Sequence, residues 1–162
     1  PGMERLPPRV RVVWSVGALV SALFVAAIVG AVAVFAPADA AYVGWLTLPY
    51  AVGVFVVFAA LGVVFAVLRY RVFRFEVRED TVFIQRGVLT RVRTVVPYVR
   101  VQHVDTQRGP LERVVGLSTV VVYTAGSRGA DVSIPGLTPE RAEELQSSLR
   151  ELAIESEPED AV

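Results

Sequence analysis

At 162 residues, 54% hydrophobic and formally uncharged overall, the chain is too apolar for an ordinary water-soluble domain. Its sixteen basic residues, all Arg, balance sixteen acidic ones, which argues against nucleic acid as a partner. Cysteine is absent, so there is no disulfide framework, thiolate metal site or thiol nucleophile.

Pro1-Gly2, ahead of Met3, is left out of the fold reading, and residues 1–11 are read as a short cytosolic segment. Residues 12–36 carry no charged side chain and predict a first transmembrane helix, about 37 Å long at 1.5 Å per residue. Arg5, Arg9 and Arg11 followed by Ala38-Asp39-Ala40 have the outline of a signal peptide. The apolar stretch is too long for one, since a signal core runs to about 7–15 residues. Pro37 ends the helix and opens an extracytoplasmic loop over 37–47. A second transmembrane helix follows over 48–68, starting either near Tyr42 with a bend at Pro49 or at Pro49 itself. Tyr42, Trp45 and Tyr50 suit an interfacial aromatic belt.

Arginine flanks both spans on their outer ends: Arg5, Arg9 and Arg11 before the first, Arg69, Arg71, Arg74 and Arg78 after the second. The connecting loop holds only Asp39. The positive-inside rule then places both termini in the cytoplasm, as a multi-pass protein of the cell membrane. Ala18, Ala22, Ala26 and Gly30 share one face of the first span, and Gly62 and Ala66 repeat the spacing in the second, which predicts close helix contact. No ionisable residue lies inside either span, which speaks against a channel or pump formed by this chain alone.

From Arg69 onward the period changes. Phe73, Phe75 and Val77 alternate with Arg74, Glu76 and Arg78, as in a half-buried strand. Thr81 to Arg86 reads as its antiparallel partner, Val88 to Val96 as a third strand, and Val99 to Thr106 as a fourth after the interruption at Pro97-Tyr98. Leu111 to Val115 predicts a helical turn stopped by Gly116. Leu117 to Thr124 is a β-branched strand, and Ala130 to Ile134 a last one ending at Pro135. Thr138 is an N-cap with Pro139 in the first helical position, opening an amphipathic helix with its stripe on Ala142, Leu145, Leu149 and Leu152. Residues 155–162 are acidic and predict a disordered tail.

The run Val96-Pro97-Tyr98-Val99-Arg100-Val101-Gln102-His103-Val104-Asp105, continuing through Gln107-Arg108-Gly109-Pro110-Leu111-Glu112-Arg113 to Gly116-Leu117, resembles the second type of bacterial pleckstrin-homology (PH) domain. Tyr123-Thr124-Ala125-Gly126 and Ile134-Pro135-Gly136-Leu137 fit the same family. The two spans ahead of the domain resemble its membrane-protein branch. The resemblance implies an α+β membrane protein. A two-helix transmembrane hairpin precedes a PH-like split β-barrel over 69–154, of about seven antiparallel strands, capped by the C-terminal α-helix. It also implies no enzyme activity, no cofactor, and a membrane-protein partner carrying further such domains.

No catalytic or metal-binding constellation emerges. His103 is the sole histidine and reads as a packing or hydrogen-bonding group. Asp105 is expected to pair with Arg100 or Arg108 and pin the turn at Gly109-Pro110. Ser118, Ser127 and Ser133 lack a base pattern. Arg69, Arg71, Arg74 and Arg78, with Arg86, Arg91 and Arg93 nearby, are the candidate contacts to membrane lipid. A topology signal with general surface attraction accounts for them more simply than specific headgroup recognition. The family signature residues are Pro97, Arg100, Gln102, His103, Asp105, Gly109, Pro110 and Gly116. The leading expectation is a non-enzymatic, membrane-anchored interaction or self-assembly module at the cytosolic face. The alternatives are an anionic-lipid or envelope-stress sensor and an accessory subunit of a transporter or exporter.

Overall fold

Two long helices carry the apolar part of the chain, and a β unit takes the rest. The computed structural model describes residues 2–35, 47–126 and 131–157. Helix α1 spans Val10–Phe35 and helix α2 spans Thr47–Val72. Each is long and apolar enough to cross a membrane, with mean hydropathy of 2.7 and 2.9 in its most apolar window. Those windows are only 11% and 6% buried, unlike the core helix of a soluble protein. Pro49 lies in the first turn of α2, where its missing N–H costs no hydrogen bond. The expected interhelical loop, with Asp39, Tyr42 and Trp45, lies outside the described residues.

Residues Trp14–Leu68 form one unit. Ala22, Ala59 and Ala66 are buried there, and a Cβ on Gly62 would stand 2.7 Å from the Cβ of Ala18. The small-residue face therefore brings the two helices together at Ala18, Ala22, Gly62 and Ala66. Gly30 meets no atom within 4 Å, so the contact does not continue to the far end of the predicted stripe. Ser21, the polar group in this part of α1, donates to the Gly17 carbonyl at 2.9 Å and leaves no unpaired hydroxyl in lipid.

The second unit comprises residues 1–13 and 69–162. Its strands are β1 (Arg74–Val77), β2 (Thr81–Arg86), β3 (Val92–Pro97), β4 (Val101–Gln107), β5 (Ser118–Thr124) and β6 (Val132–Leu137). Helix α3 is Pro110–Val115 and helix α4 is Pro139–Glu155. The strands make two three-stranded antiparallel sheets, β1-β2-β3 and β4-β5-β6. This corrects the expected split β-barrel of about seven strands: among the described residues there are six, and the sheets do not close. The reason lies at Pro97 to Arg100. Pro97 has no N–H to offer, and a 3-10 turn over Tyr98–Arg100 turns the chain away. Among the described residues the outer edges of β3 and β4 pair with no strand.

Side chains close the core instead. Phe75, Val82, Ile84 and Val96 from one sheet, Val120, Val122 and Ile134 from the other, and Leu117 just ahead of β5 are buried. Helix α4 packs on β4, β5 and the 3-10 turn, burying Ala142, Leu145 and Leu149. The Thr138 side chain caps α4 by accepting from the Arg141 N–H at 3.3 Å. Leu152, predicted for the same stripe, is only half-buried.

Strand boundaries differ from the sequence pattern at several points. The fourth strand begins at Val101 and not Val99, because Tyr98–Arg100 is a 3-10 turn. Val88 to Arg91 form a turn, not strand, and β3 begins at Val92. Strand β6 runs past Pro135 to Leu137. It is an edge strand, and its register shifts between the pairs Val120–Ile134 and Ser118–Leu137, so Pro135 needs no ladder donor.

The chain ahead of α1 also belongs to the β unit. Glu4 and Phe75 exchange backbone hydrogen bonds of 2.7 and 3.1 Å. Leu6 and Val10 are buried, and the Glu4 carboxylate receives two hydrogen bonds from the Arg141 guanidinium, one of them 3.0 Å. The guanidinium of Arg11 lies 5.0 Å from the centre of the Tyr70 ring. The β unit therefore gathers the first turn of α1 and the last turn of α2 at one end.

Candidate functional site

Register decides which side chains share an end of the β unit. Arg74 opposes Gln85, and Arg86 opposes Val92. The start of β1, the β2–β3 turn and the last turn of α2 therefore lie together. In the other sheet, Gln107 opposes Thr119, and Ser118 opposes Leu137, which sets α3 and the end of β6 at one end. The N-terminal segment joins the two, since Val10 abuts Gly136 and the Arg9 guanidinium donates to the Val115 carbonyl at 3.3 Å. The opposite end holds the β1–β2 turn, the 3-10 turn and the C-terminus of α4.

The four candidate lipid-contacting arginines are spread by this geometry. Arg69 and Arg71 occupy the last turn of α2. Arg74 opens β1 and donates to the Phe73 carbonyl at 3.2 Å. Arg78 follows β1, about 13 Å further along at 3.3 Å per residue. It pairs with Glu76 at 3.1 Å and lies 4.5 Å from the Phe83 ring centre. Arg86, distant in sequence, closes β2 opposite Val92 and so stands at the same end as the start of β1.

The signature residues serve three different tasks. Pro97 ends β3 and Arg100 ends the 3-10 turn, its carbonyl accepting from the Ala125 N–H at 2.8 Å. Gly109 is the N-cap of α3 and Pro110 its first residue, while Gly116 is the C-cap. Gln102, His103 and Asp105 are exposed on β4. The His103 ring stacks on Tyr123 with centroids 4.2 Å apart, and its Nε2 stands 4.0 Å from the Asp105 carboxylate. The expected pairing of Asp105 with Arg100 or Arg108 does not form. Arg108 donates instead to the Leu117 carbonyl at 3.1 Å.

Gln102 and His103 border a groove of about 400 Å³ between β4 and α4, with Gln146, Arg150, Ile154 and Glu157 on the helix side. Gln146 crosses it to donate to the Val104 carbonyl at 2.9 Å. The lining mixes apolar, cationic and anionic side chains, which suits a polypeptide surface better than a small charged metabolite. Among the described residues, no three of His, Cys, Asp and Glu come together to hold a metal ion.

The residue that sequence reading passed over is Tyr98. In the sequence it stands within the signature run and interrupts a strand, and among the described residues it is the largest fully buried side chain. Its hydroxyl lies 2.6 Å from the Arg78 carbonyl and 2.8 Å from that of Thr81. The adjoining Pro-Tyr pair was the available signal, because a buried tyrosine must find acceptors. Burial, reinforced by the charge of Asp80, pushes the phenol above its ordinary range. A raised acid pKa stabilises the fold fully below the unfolded value of about 10 and loses that contribution as pH rises through the folded value. Tyr98→Phe is expected to cost about 1–3 kcal/mol at neutral pH. It also removes this alkaline loss, so the wild-type and variant stabilities converge above pH 10 in denaturant titrations.

The family model described as Bacterial PH domain matches residues 13–153. The transmembrane protein YdbS of Bacillus subtilis (strain 168) is 44% identical over 86 residues, which is 53% of this chain and 52% of YdbS. The chain thus spans about half the length of the curated relative it matches. No solved structure matches.

Proposed function

The chain belongs to the bacterial PH domain family and is a multi-pass membrane protein, and from that premise we propose that it is a non-enzymatic interaction module. In this reading α1 and α2 anchor the β unit at the cytosolic face, with both chain ends inside, as the arginine distribution favours. A second membrane protein carrying similar domains, or another copy of the chain, docks at β4. The observation that carries the reading is the groove between α4 and the unpaired edge of β4, with Gln102 and His103 on its rim. An exposed strand edge beside a helix accepts an extended segment through main-chain hydrogen bonds, and adjacent side chains select it.

The test is recovery of complexes from mild detergent. A photo-crosslinking residue in place of Gln102 is expected to capture a membrane protein or a second copy. Recovery should fall when His103 and Gln146 are both replaced by Ala, with the melting temperature held. A particle that stays monomeric, with no adduct from position 102, refutes the reading.

A second reading rests on a separate observation. Arg69 and Arg71 in the last turn of α2 and Arg86 at the close of β2 lie at one end of the β unit, where anionic headgroups would add about 1 kcal/mol per arginine near the surface.

A further inference from the structure

Outside α1 and α2, the two most exposed apolar side chains among the described residues are Leu89 at 92% and Val114 at 85%. Neither has a packing role in the β unit, and their positions are not random. Leu89 is at the tip of the turn between β2 and β3. That turn is held tightly: Gly87 has φ of +95°, and a Cβ there would fall 2.0 Å from the Thr90 carbonyl oxygen. Only glycine fits, so the turn presents Leu89 outward on a rigid support. Val114 is on α3, the short helix closed by Gly116.

Each tip lies near a helix end. The β2–β3 turn follows Arg86 and lies beside the start of β1, which follows directly on the last turn of α2. Helix α3 receives at its Val115 carbonyl a hydrogen bond from Arg9, the residue before α1 begins. Those same helix turns meet through Arg11 and Tyr70. Each apolar tip also has cationic neighbours: Arg86 and Arg91 beside Leu89, Arg9 and Arg113 beside Val114. An exposed aliphatic side chain with arginines close by along the chain fits the boundary between anionic headgroups and acyl chains, where the apolar group enters lipid and the guanidinium stays with phosphate.

We propose that Leu89 and Val114 are two membrane-entering tips that hold the β unit against an anionic lipid surface. This deepens the second, lipid-contact reading, on which it rests, and shares with the partner-binding reading only the insertion of α1 and α2. With the two tips in lipid, the β4–α4 groove at the opposite end of the unit faces away from the bilayer, where a partner reaches it.

The absence of cysteine makes the test clean. Full-length Leu89→Cys, Val114→Cys and Val99→Cys variants carry an environment-sensitive fluorophore in nanodiscs holding one copy each, made with or without phosphatidylglycerol. Val99 is exposed at the opposite end and serves as the reference. Labels at 89 and 114 are expected to shift to the blue, to be quenched by lipids spin-labelled near the headgroup, and to resist aqueous iodide. The label at 99 should do the reverse. Arg91→Ala should weaken docking of the 89 tip about fivefold in phosphatidylglycerol discs, the factor for one surface arginine, and have little effect in zwitterionic ones. Labels at 89 and 114 as open to iodide as that at 99 overturn the proposal. So does protection from iodide without lipid quenching, which would mean a protein surface covers them. Loss of the 102 crosslink leaves these readouts untouched, so the two ideas fail separately.

Discussion

Gly136→Val is expected to lower the melting temperature of the full-length protein by 10 °C or more and to release its N-terminal segment. Gly136 has φ of +71°, and a Cβ there would stand 2.2 Å from Val10 Cγ2 and 2.7 Å from Val10 Cβ. Two penalties combine. The left-handed backbone costs an L-residue about 1–2 kcal/mol. Forcing atoms against a fully buried neighbour costs about 1–3 kcal/mol more. Val10 cannot retreat, because it is 1% exposed and begins α1. The sum, about 2–5 kcal/mol, corresponds to roughly 10 °C or more in a domain of this size. Thermal melts in mild detergent measure it. Gly136→Ala is the milder companion and should lie between wild type and Val. A melting temperature unchanged in both would show that the first turn of α1 does not rest on β6.

The second large effect is Leu6→Ala, expected to destabilise the β unit by about 2–5 kcal/mol through the cavity left behind. Leu6 is 2% exposed, and it sits between Glu4, bridged to Phe75, and Val10. The loss has a local signature. Hydrogen exchange should speed up first at the Glu4 and Phe75 amides, which bond only to each other's carbonyls across this junction. Leu19→Ala on the exposed side of α1 is the control and should leave those amides protected. If Leu6→Ala spared both stability and exchange, residues 2–11 would have to be a free leader and not part of the fold.

The chain enters the β unit before it enters the membrane and returns to it on leaving. Both helix ends are thus clamped, one by Leu6, Val10 and the Glu4–Arg141 pair, the other by β1.

Much of the fold was legible in local pattern. The charge-free runs marked α1 and α2, because burial in lipid demands apolar side chains along the whole length. Thr138-Pro139 marked the start of α4, and Gly116 the end of α3, because capping is written in one or two residues. Strand β2 matched its predicted bounds, since the pattern there is bounded by turn residues on both sides. Pattern failed where a residue's role depends on a distant partner. Pro135 looked like a strand end, yet at a sheet edge with a bulge it costs nothing. Val88 to Arg91 looked like strand, but Gly87 turns the chain and leaves Leu89 exposed.

Two apolar spans, their arginine flanks, the β-rich remainder and its capped helix follow from sequence alone, because hydropathy, periodicity and caps are properties of neighbours along the chain. Tertiary structure alone decided that the sheets stay open, that Glu4 and Leu6 belong to the β unit, that Tyr98 is its buried centre, and that Leu89 and Val114 project at the end bearing both helix junctions. Each of those depends on contacts between residues separated by tens of positions. The free energy of such contacts comes from packing and hydrogen bonds that no local window contains.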